Sequence, residues 1–346
     1  MAQKSVYVPV LRSHAAECDA FRQLDLDVRL VTAPLFEVSK TAASSMDGWP
    51  ATAVARKVTN LTFGSAGPGE LYVDLSELLD RSDATEICVE IQRFLLALHS
   101  DAQFVVRLDD LTRKGGVKSA LKLVERNGSA FRVTSADYAN AALWDVRSLL
   151  RQLGTDASSV DLLVDCQVVG ERQPMRGTAA RFESELPWRS ITYLGGSFPP
   201  NLSNLKKNDQ HELRRHEWIA FSSEKHNKSK TRFGDYTVQH PFQADPLPKS
   251  LPSGSIRYAS DEYWVVMRGE KLDSPNGPGH QQYIAQAQLL CERPEYRGRT
   301  YSAGDEYIQF ISEQTKRTGS PKTWLQAAIN HHLTLAAHQA QLAHVA

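Results

Sequence analysis

In this 346-residue chain, ionisable residues recur at the ends of short apolar runs. Arg12 closes YVPVLR, Glu37 sits near the end of VRLVTAPLFEV, and Asp74 ends LYVD. Arg107 ends FVVR with Asp109 just beyond it, Arg132 lies in AFRVT, Asp165 ends VDLLVD, and His240 ends FGDYTVQH. One more run, SITYLGGSFPPNL, ends in Gly195, Gly196 and Ser197, residue types that let a backbone approach a ligand closely. If these runs are parallel strands, all of these groups reach one rim. There, carboxylates can hold a divalent cation such as Mg2+ through hard oxygen ligands. Glu37, Asp74, Asp165 and His240 are the candidate catalytic groups, with His240 as acid or base. Arg12, Arg107, Arg132 and the Gly195-Gly196-Ser197 turn are the candidate ligand-binding groups, suited to phosphate oxygens. The set suits phosphoryl or phosphodiester chemistry. The competing reading is structural: opposite charges around a rim also pair with one another, and glycines after a strand are commonly turn residues. No GxGxxG or GxxxxGK[ST] pattern accompanies the glycines.

The elements that would carry these residues alternate. Strands are expected at Val6 to Leu11, Val28 to Val38, Glu70 to Leu75, Gln103 to Leu108, Ala130 to Thr134, Val160 to Asp165, Ile191 to Leu194 and Phe233 to His240. Helical spacing between them is clear. Cys18, Phe21 and Leu24 share one face, as do Val54, Val58 and Leu61 after Pro50, and Ile87, Ile91, Phe94, Leu95 and Leu98 after an Asp83/Glu86 capping box. Val117, Leu121 and Val124 suggest a fourth helix. Leu143, Val146, Leu150 and Leu153, stopped by Gly154, give a fifth, and Met175, Ala179, Phe182 and Leu186 a sixth. A charged helix over Asp209 to Phe221, with a second capping box at Asp209/Glu212, would be the seventh.

Eight strand–helix units predict an α/β fold, a (β/α)8 TIM-barrel-like domain over residues 1–241, with the site at the C-terminal strand ends. Pro9 and Pro34 argue against closure, because each removes an N–H from a strand that a barrel pairs on both sides; bulges there, or an open sheet, would resolve the conflict. Residues 242–346 read as a Pro/Ser-rich linker, a β-hairpin over Ile256 to Arg268 turning near Ser260-Asp261, and three helices. The last helix runs from Thr323 to His338, and the whole tail packs on the barrel as part of one globular unit.

Basic and acidic residues number 40 each, so no global field draws the chain to nucleic acid or membrane. Cys18, Cys88, Cys166 and Cys291 show no metal-ligand spacing and read as buried thiols of a reducing compartment. With no signal-like start and no apolar run long enough to span a bilayer, the expected location is cytoplasmic.

Several segments together resemble the phage and bacterial "beta family protein" group: YVPVLR, YLGGSFPPNL, FGDYTVQHP, RYASDEYWVVMRG and GSPKTWLQAAINHHL. The resemblance spans essentially the whole chain and implies a barrel-like α/β fold in a phage–host setting. It carries no catalytic residue. The resulting expectation is a protein of phage–bacterium conflict, an anti-phage defence component, that binds a phosphorylated small molecule or nucleotide at the rim, with hydrolysis open. One alternative is a non-catalytic component that engages a protein partner through the hairpin and tail. Another, less favoured, is a nucleic-acid module using the basic stretch Lys206 to Arg232 with Trp218 and Phe221. His331 and His332 point about 100° apart on a helix and so do not share an ion; His332 falls on the apolar face as a core histidine. Trp264 and Trp324 read as packing anchors.

Overall fold

The computed structural model describes residues 5–66, 69–98, 102–107, 129–134, 143–177, 180–226, 230–242 and 252–345. Its strands are β1 (Tyr7–Arg12), β2 (Leu35–Glu37), β3 (Leu71–Asp74), β4 (Ala102–Arg107), β5 (Ser129–Thr134), β6 (Val160–Val168), β7 (Ser190–Gly196), β8 (Asp209–Arg214), β9 (Thr231–Asp235), β10 (Ile256–Ala259) and β11 (Tyr263–Arg268). Strands β1 to β7 and β9 close into a parallel barrel in that order, while β10, β11 and β8 form a separate three-stranded antiparallel sheet. The helices are α1 (Ala15–Arg22), α2 (Leu26–Leu30), α3 (Lys40–Ser44), α4 (Ala51–Ala66), α5 (Ala84–Ala97), α6 (Leu143–Gln152), α7 (Ala180–Glu185), α8 (His216–Ser223), α9 (Gln282–Cys291), α10 (Ala303–Ser312) and α11 (Pro321–Val345). The expected (β/α)8 architecture is therefore present and closed.

The prolines are accommodated without a bulge. Tyr7 bridges Thr32 and Val10 pairs with Leu35, so one register runs through and sets Pro9 opposite Pro34. The two missing N–H groups fall in different seams, because alternate residues of a parallel strand turn their backbone groups to opposite neighbours. In the β1–β2 seam Ala33 N donates to Tyr7 O at 2.9 Å, and Pro34 turns to β3, where Tyr72 N donates to its O at 2.9 Å.

The period of two along each strand sorts the side chains. Val8, Val10, Leu35, Tyr72, Val105, Ala130, Leu163, Leu194 and Tyr236 meet inside the barrel. Their neighbours Phe36, Val73, Phe104, Phe131, Leu162, Tyr193 and Phe233 face outward into the layer beneath the helices. Each such burial contributes about 1.5–3 kcal/mol, which favours this parity over the alternative. The amphipathic faces behave as expected: Cys18, Phe21, Val54, Val58, Ile87, Ile91, Val146, Leu150 and Leu153 are buried. Gly154, at φ +62°, ends α6 in the left-handed region. Cys18, Cys88 and Cys166 are buried free thiols, and Cys291 is half-buried. Leu98, by contrast, is exposed.

Four expected elements are different. The sixth helix is only α7, Ala180–Glu185, and Met175 lies in the loop before it. Val28 to Leu30 lies in helix α2, and the second strand is only β2, preceded by a single bridge at Thr32. The eighth barrel strand is β9, Thr231–Asp235, and it stops well before His240. Asp209 to Arg214 is strand β8, with alternating half-buried and exposed residues; only His216–Ser223 of the expected charged helix is helical. Helix propensity lost there to pairing: β11 offers β8 a full antiparallel edge from Arg214 opposite Tyr263 to Asp209 opposite Arg268. The helix expected around Val117 to Val124 and the 243–251 part of the linker lie outside the described residues.

The hairpin and tail complete the barrel. β11 is the central strand of its sheet. Trp264 and Val266 enter the main core, whereas Val265 and Met267 join Tyr258, Tyr283, Ile308 and Trp324 in a second core. Helix α11 lies against α1, with Asn330 Nδ2 donating to Ala20 O at 2.9 Å, and reaches the end of β9 through His332. It therefore covers the β9–β1 seam, where the eighth helix of a barrel belongs. Most residues of the hairpin strands are buried, on both faces. Among the described residues, no helix is long and apolar enough to cross a membrane.

Candidate functional site

Inward parity at the C-terminal strand ends brings together Glu37, Asp74, Arg107, Arg132 and Asp165. Each is an even number of residues from an inward apolar residue on its own strand: Leu35, Tyr72, Val105, Ala130 and Leu163. The result is one continuous network. Arg107 Nη2 bonds Glu37 Oε1 at 2.9 Å and Asp74 Oδ2 at 2.7 Å. Arg132 Nη1 bonds Asp74 Oδ2 at 2.8 Å, and its Nε and Nη2 bond Asp165 Oδ2 at 3.0 and 2.9 Å. Arg132 Nη2 also donates to Tyr236 Oη at 2.8 Å, and Tyr236 donates to Asp165 Oδ2 at 2.6 Å.

The carboxylates are held from behind as well. Asp74 Oδ1 accepts from Ser76 N at 3.1 Å, and Asp165 Oδ1 accepts from Gln167 N at 2.9 Å. The same aspartate-to-i+2 bond recurs at the end of β9, where Asp235 Oδ1 accepts from Thr237 N at 3.0 Å. Gln167 and Thr237 both adopt positive φ, 56° and 55°, although neither is glycine. Such backbone costs of order 1–3 kcal/mol per residue and tends to collect at functional sites.

Electrostatics follow from depth. Burial alone would raise the Asp74 pKa, but the guanidiniums of Arg107 and Arg132 overcome it and hold the carboxyl at about 2. Burial and the paired carboxylates act in opposite senses on Arg132, and the attraction of Tyr236 and the acids wins, raising its pKa. The base of the network is buried, with Asp74 and Asp165 1% and Arg132 4% exposed. Its upper edge is not, because the Arg107 and Glu37 side chains are 19% and 20% exposed.

The other expected residues go elsewhere. Arg12 turns to the loop after β9 and bonds Gln239 Oε1 at 3.1 Å, His240 O at 2.7 Å and Pro241 O at 3.0 Å. His240 is half-exposed, its ring beside Phe242 and its Nδ1 3.2 Å from Phe242 N. Gly195 and Gly196 do stand at the end of β7, but both are buried against protein. A Cβ on Gly195 would come 2.6 Å from Val169 Cγ2, and one on Gly196 would come 3.0 Å from Pro241 Cγ. Ser197 accepts from His216 N at 3.2 Å and bonds the Glu217 carboxylate, tying β7 to α8. Both glycines are packed closely on the side that a Cβ would take. Asp109 lies outside the described residues.

The carboxylates fit guanidinium better than a metal. A single oxygen of Asp74 takes three N–H groups. Among the described residues, no group of three His, Cys, Asp or Glu is arranged to hold an ion. The basic stretch is also divided. Arg215 and Arg232 are buried, Trp218 and Phe221 pack on Phe233, and Lys228 lies outside the described residues. Between the loop after β6 and α8, a cleft of about 590 Å³ is lined by residues that include Arg172, Arg214, His216 and Glu224, and by none of the network residues.

A family model described as Beta protein matches residues 7–338, which span the barrel, hairpin and tail together. The chain belongs to the Beta protein family. No curated protein matches it. Among solved structures, this Beta protein is similar to a GH18 chitinase from Pseudoalteromonas aurantia at 8% identity and a TM-score of 0.35, covering 54% of this chain and 92% of the other. It is also similar to tryptophan synthase from M. tuberculosis at 12% identity and a TM-score of 0.23, covering 54% and 81%. Likenesses this loose say nothing about chemistry.

Sequence reasoning missed Tyr236, which joins Arg132 to Asp165. Strand parity could have found it, since Arg232, Gly234 and Tyr236 alternate inward along the eighth strand. It also missed the opposite end of the barrel. There Tyr72 Oη donates to Asp161 Oδ2 at 2.7 Å, Arg232 Nη1 donates to Tyr72 Oη at 2.9 Å, and Arg189 Nε donates to Asp161 Oδ1 at 2.9 Å. The interior is thus an apolar layer between two ion networks, and the N-terminal one is at the end that serves stability in barrels.

Proposed function

We propose that this Beta protein binds a phosphate-bearing ligand of the nucleotide class at the C-terminal mouth of its barrel. The supporting observation is the division of the network into a buried, fixed base and a partly exposed edge formed by Arg107 and Glu37. A ligand phosphate would replace the Glu37 carboxylate on Arg107, one anion for another on a guanidinium suited to bidentate recognition. Arg132, Asp74, Asp165 and Tyr236 would keep Arg107 in place. The strained backbone at Gln167 and Thr237 is consistent with a binding end. On this proposal the binding serves phage–bacterium conflict, as part of anti-phage defence, the setting that the family resemblance implies.

The test is calorimetric titration of the full chain with nucleoside mono-, di- and triphosphates and with pyrophosphate. Saturable binding that is lost in Arg107→Gln, with the melting temperature retained, is the expected result. No binding by the wild type to any of these ligands would overturn the reading. Phosphate release followed in the same mixtures reports any turnover.

A further inference from the structure

A second polar assembly lies away from the rim, where the hairpin, α10 and α11 meet. His331 of α11 is fully buried, and both of its ring nitrogens face oxygen atoms. Nε2 is 2.8 Å from the Ala259 carbonyl oxygen at the end of β10, and Nδ1 is 2.7 Å from Asp305 Oδ2 in the first turn of α10. Helix α10 comes this close because residue 304 is glycine. A Cβ there would lie 2.2 Å from the Ala327 carbonyl oxygen, and Gly304 N donates to Asn330 Oδ1 at 2.7 Å. One side chain thus ties the terminal helix to two other elements.

The directions of the hydrogen bonds fix how many protons the pair holds. A carbonyl oxygen only accepts, so Nε2 carries a hydrogen. Around Asp305 the directions are set by backbone N–H groups. Asp305 N donates to Ser302 Oγ at 3.1 Å, which turns that hydroxyl's hydrogen to Oδ2 at 2.6 Å. Arg297 N donates to Tyr258 Oη at 2.9 Å, which turns that hydrogen to Oδ1 at 2.8 Å. The contact between Asp305 and His331 therefore needs a hydrogen of its own, on Oδ2 or on Nδ1. Burial would raise the Asp305 pKa, but the charge on His331 and the bonds from His331, Ser302 and Tyr258 hold it below the ordinary carboxyl value. The hydrogen belongs on Nδ1. The Tyr258 ring stacks on the resulting cation, with centroids 3.8 Å apart and planes 20° apart. The other titratable groups about the pair are Tyr301, 5.7 Å from the ring, and Tyr296, which donates to the Asp305 carbonyl oxygen at 3.0 Å. Arg297 turns its guanidinium to Asp261. On α11 itself His332 bonds Asp235 of β9, and burial keeps its pKa below the ordinary imidazole value. We infer that Asp305 and His331 form a buried carboxylate–imidazolium clasp that fastens α11 to the hairpin and opens when its proton is lost. Without that proton a ring lone pair meets an oxygen lone pair at hydrogen-bond distance, and a bond to a buried acceptor disappears. The joint between tail and hairpin therefore holds at neutral pH and loosens in alkali.

The test is nitrogen NMR of the full chain carrying isotope-labelled histidine. The His331 ring, assigned by its cross-peaks with the Tyr258 ring, should show both nitrogens protonated at neutral pH. Asp305→Asn, nearly isosteric, should convert it to a ring with one bare nitrogen. Amide hydrogen exchange, corrected for the intrinsic effect of pH, should show Ile256 to Arg268 and Thr323 to His338 losing protection in alkali. His331→Gln, whose amide can still donate to Ala259 O but has no proton to lose, should abolish that pH dependence. A bare ring nitrogen on His331 of the wild type at neutral pH would overturn the inference, whether or not the variants fold. So would wild-type protection that does not fall in alkali, or a fall that survives in His331→Gln.

Discussion

His332 and Asp235 are 97 residues apart in the chain and 2.7 Å apart in space, both buried, one on the terminal helix and the other at the end of the last barrel strand. Asp235 is held on its other oxygen by Tyr7 Oη at 2.8 Å, so one carboxylate joins the first strand, the eighth strand and the tail. His332→Ala would leave that carboxylate buried with a bond missing. The expected loss is about 3 kcal/mol of unfolding free energy, read from urea denaturation with an unchanged slope. A loss under about 0.5 kcal/mol would show that the tail is not clasped to the barrel at this point.

The two rim arginines should differ by depth. Arg132→Met leaves Asp74 and Asp165 buried and underpaired, with an expected cost of roughly 3–5 kcal/mol. Arg107→Gln removes a partly exposed group and leaves Asp74 its bonds from Arg132 and Ser76, so it should cost less, about 1–2 kcal/mol. Denaturant midpoints of the two variants decide this, and equal costs would contradict the division into base and edge.

Glu17 supplies a pH signature. It is buried, and its carboxyl accepts from Gln239. Burial pushes its pKa from 4.5 up to about 8, with Gln239 and Arg12 pulling partly back. The folded chain therefore holds this proton more tightly than the unfolded one, so the contribution is complete below pH 4.5 and is lost as pH rises through about 8. Glu17→Gln should flatten the fall in melting temperature between pH 4.5 and about 8. An unaltered pH profile would show that Glu17 is not buried as a neutral acid.

Gly234 marks the tightest point inside the barrel. A Cβ there would lie 2.3 Å from Leu194 Cδ2 and 2.6 Å from the Val8 carbonyl oxygen, and a backbone atom cannot swing aside. Gly234→Ala should cost about 1–3 kcal/mol by overpacking. At Gly195 the obstacles are the Val169 and Met175 side chains, so Gly195→Ala should cost less. Thermal melts of the pair test the order.

Strand-and-helix alternation and the ends of the apolar runs were legible in the chain, because short-range periodicity and Gly/Pro punctuation report local structure directly. That was enough for a closed (β/α)8 barrel and for the group Glu37, Asp74, Arg107, Arg132 and Asp165, since parity within one strand sends alternate residues to the same side. Partnerships between distant segments were not legible. Helical propensity in DQHELR gave way to the edge of β11, which lies beyond it in the chain. Pro9 and Pro34 leave the register of β1 and β2 intact because their missing N–H groups fall in different seams. Arg12 and Gly195 sit where strand ends put them, yet the loop after β9 and the side chains of Val169 and Met175 already occupy their surroundings. Tyr236 and His332 acquire their roles only once Arg132, Asp165 and Asp235 are brought beside them. Local sequence specifies which face a side chain leaves from; only closure of the barrel and docking of the tail decide what it meets.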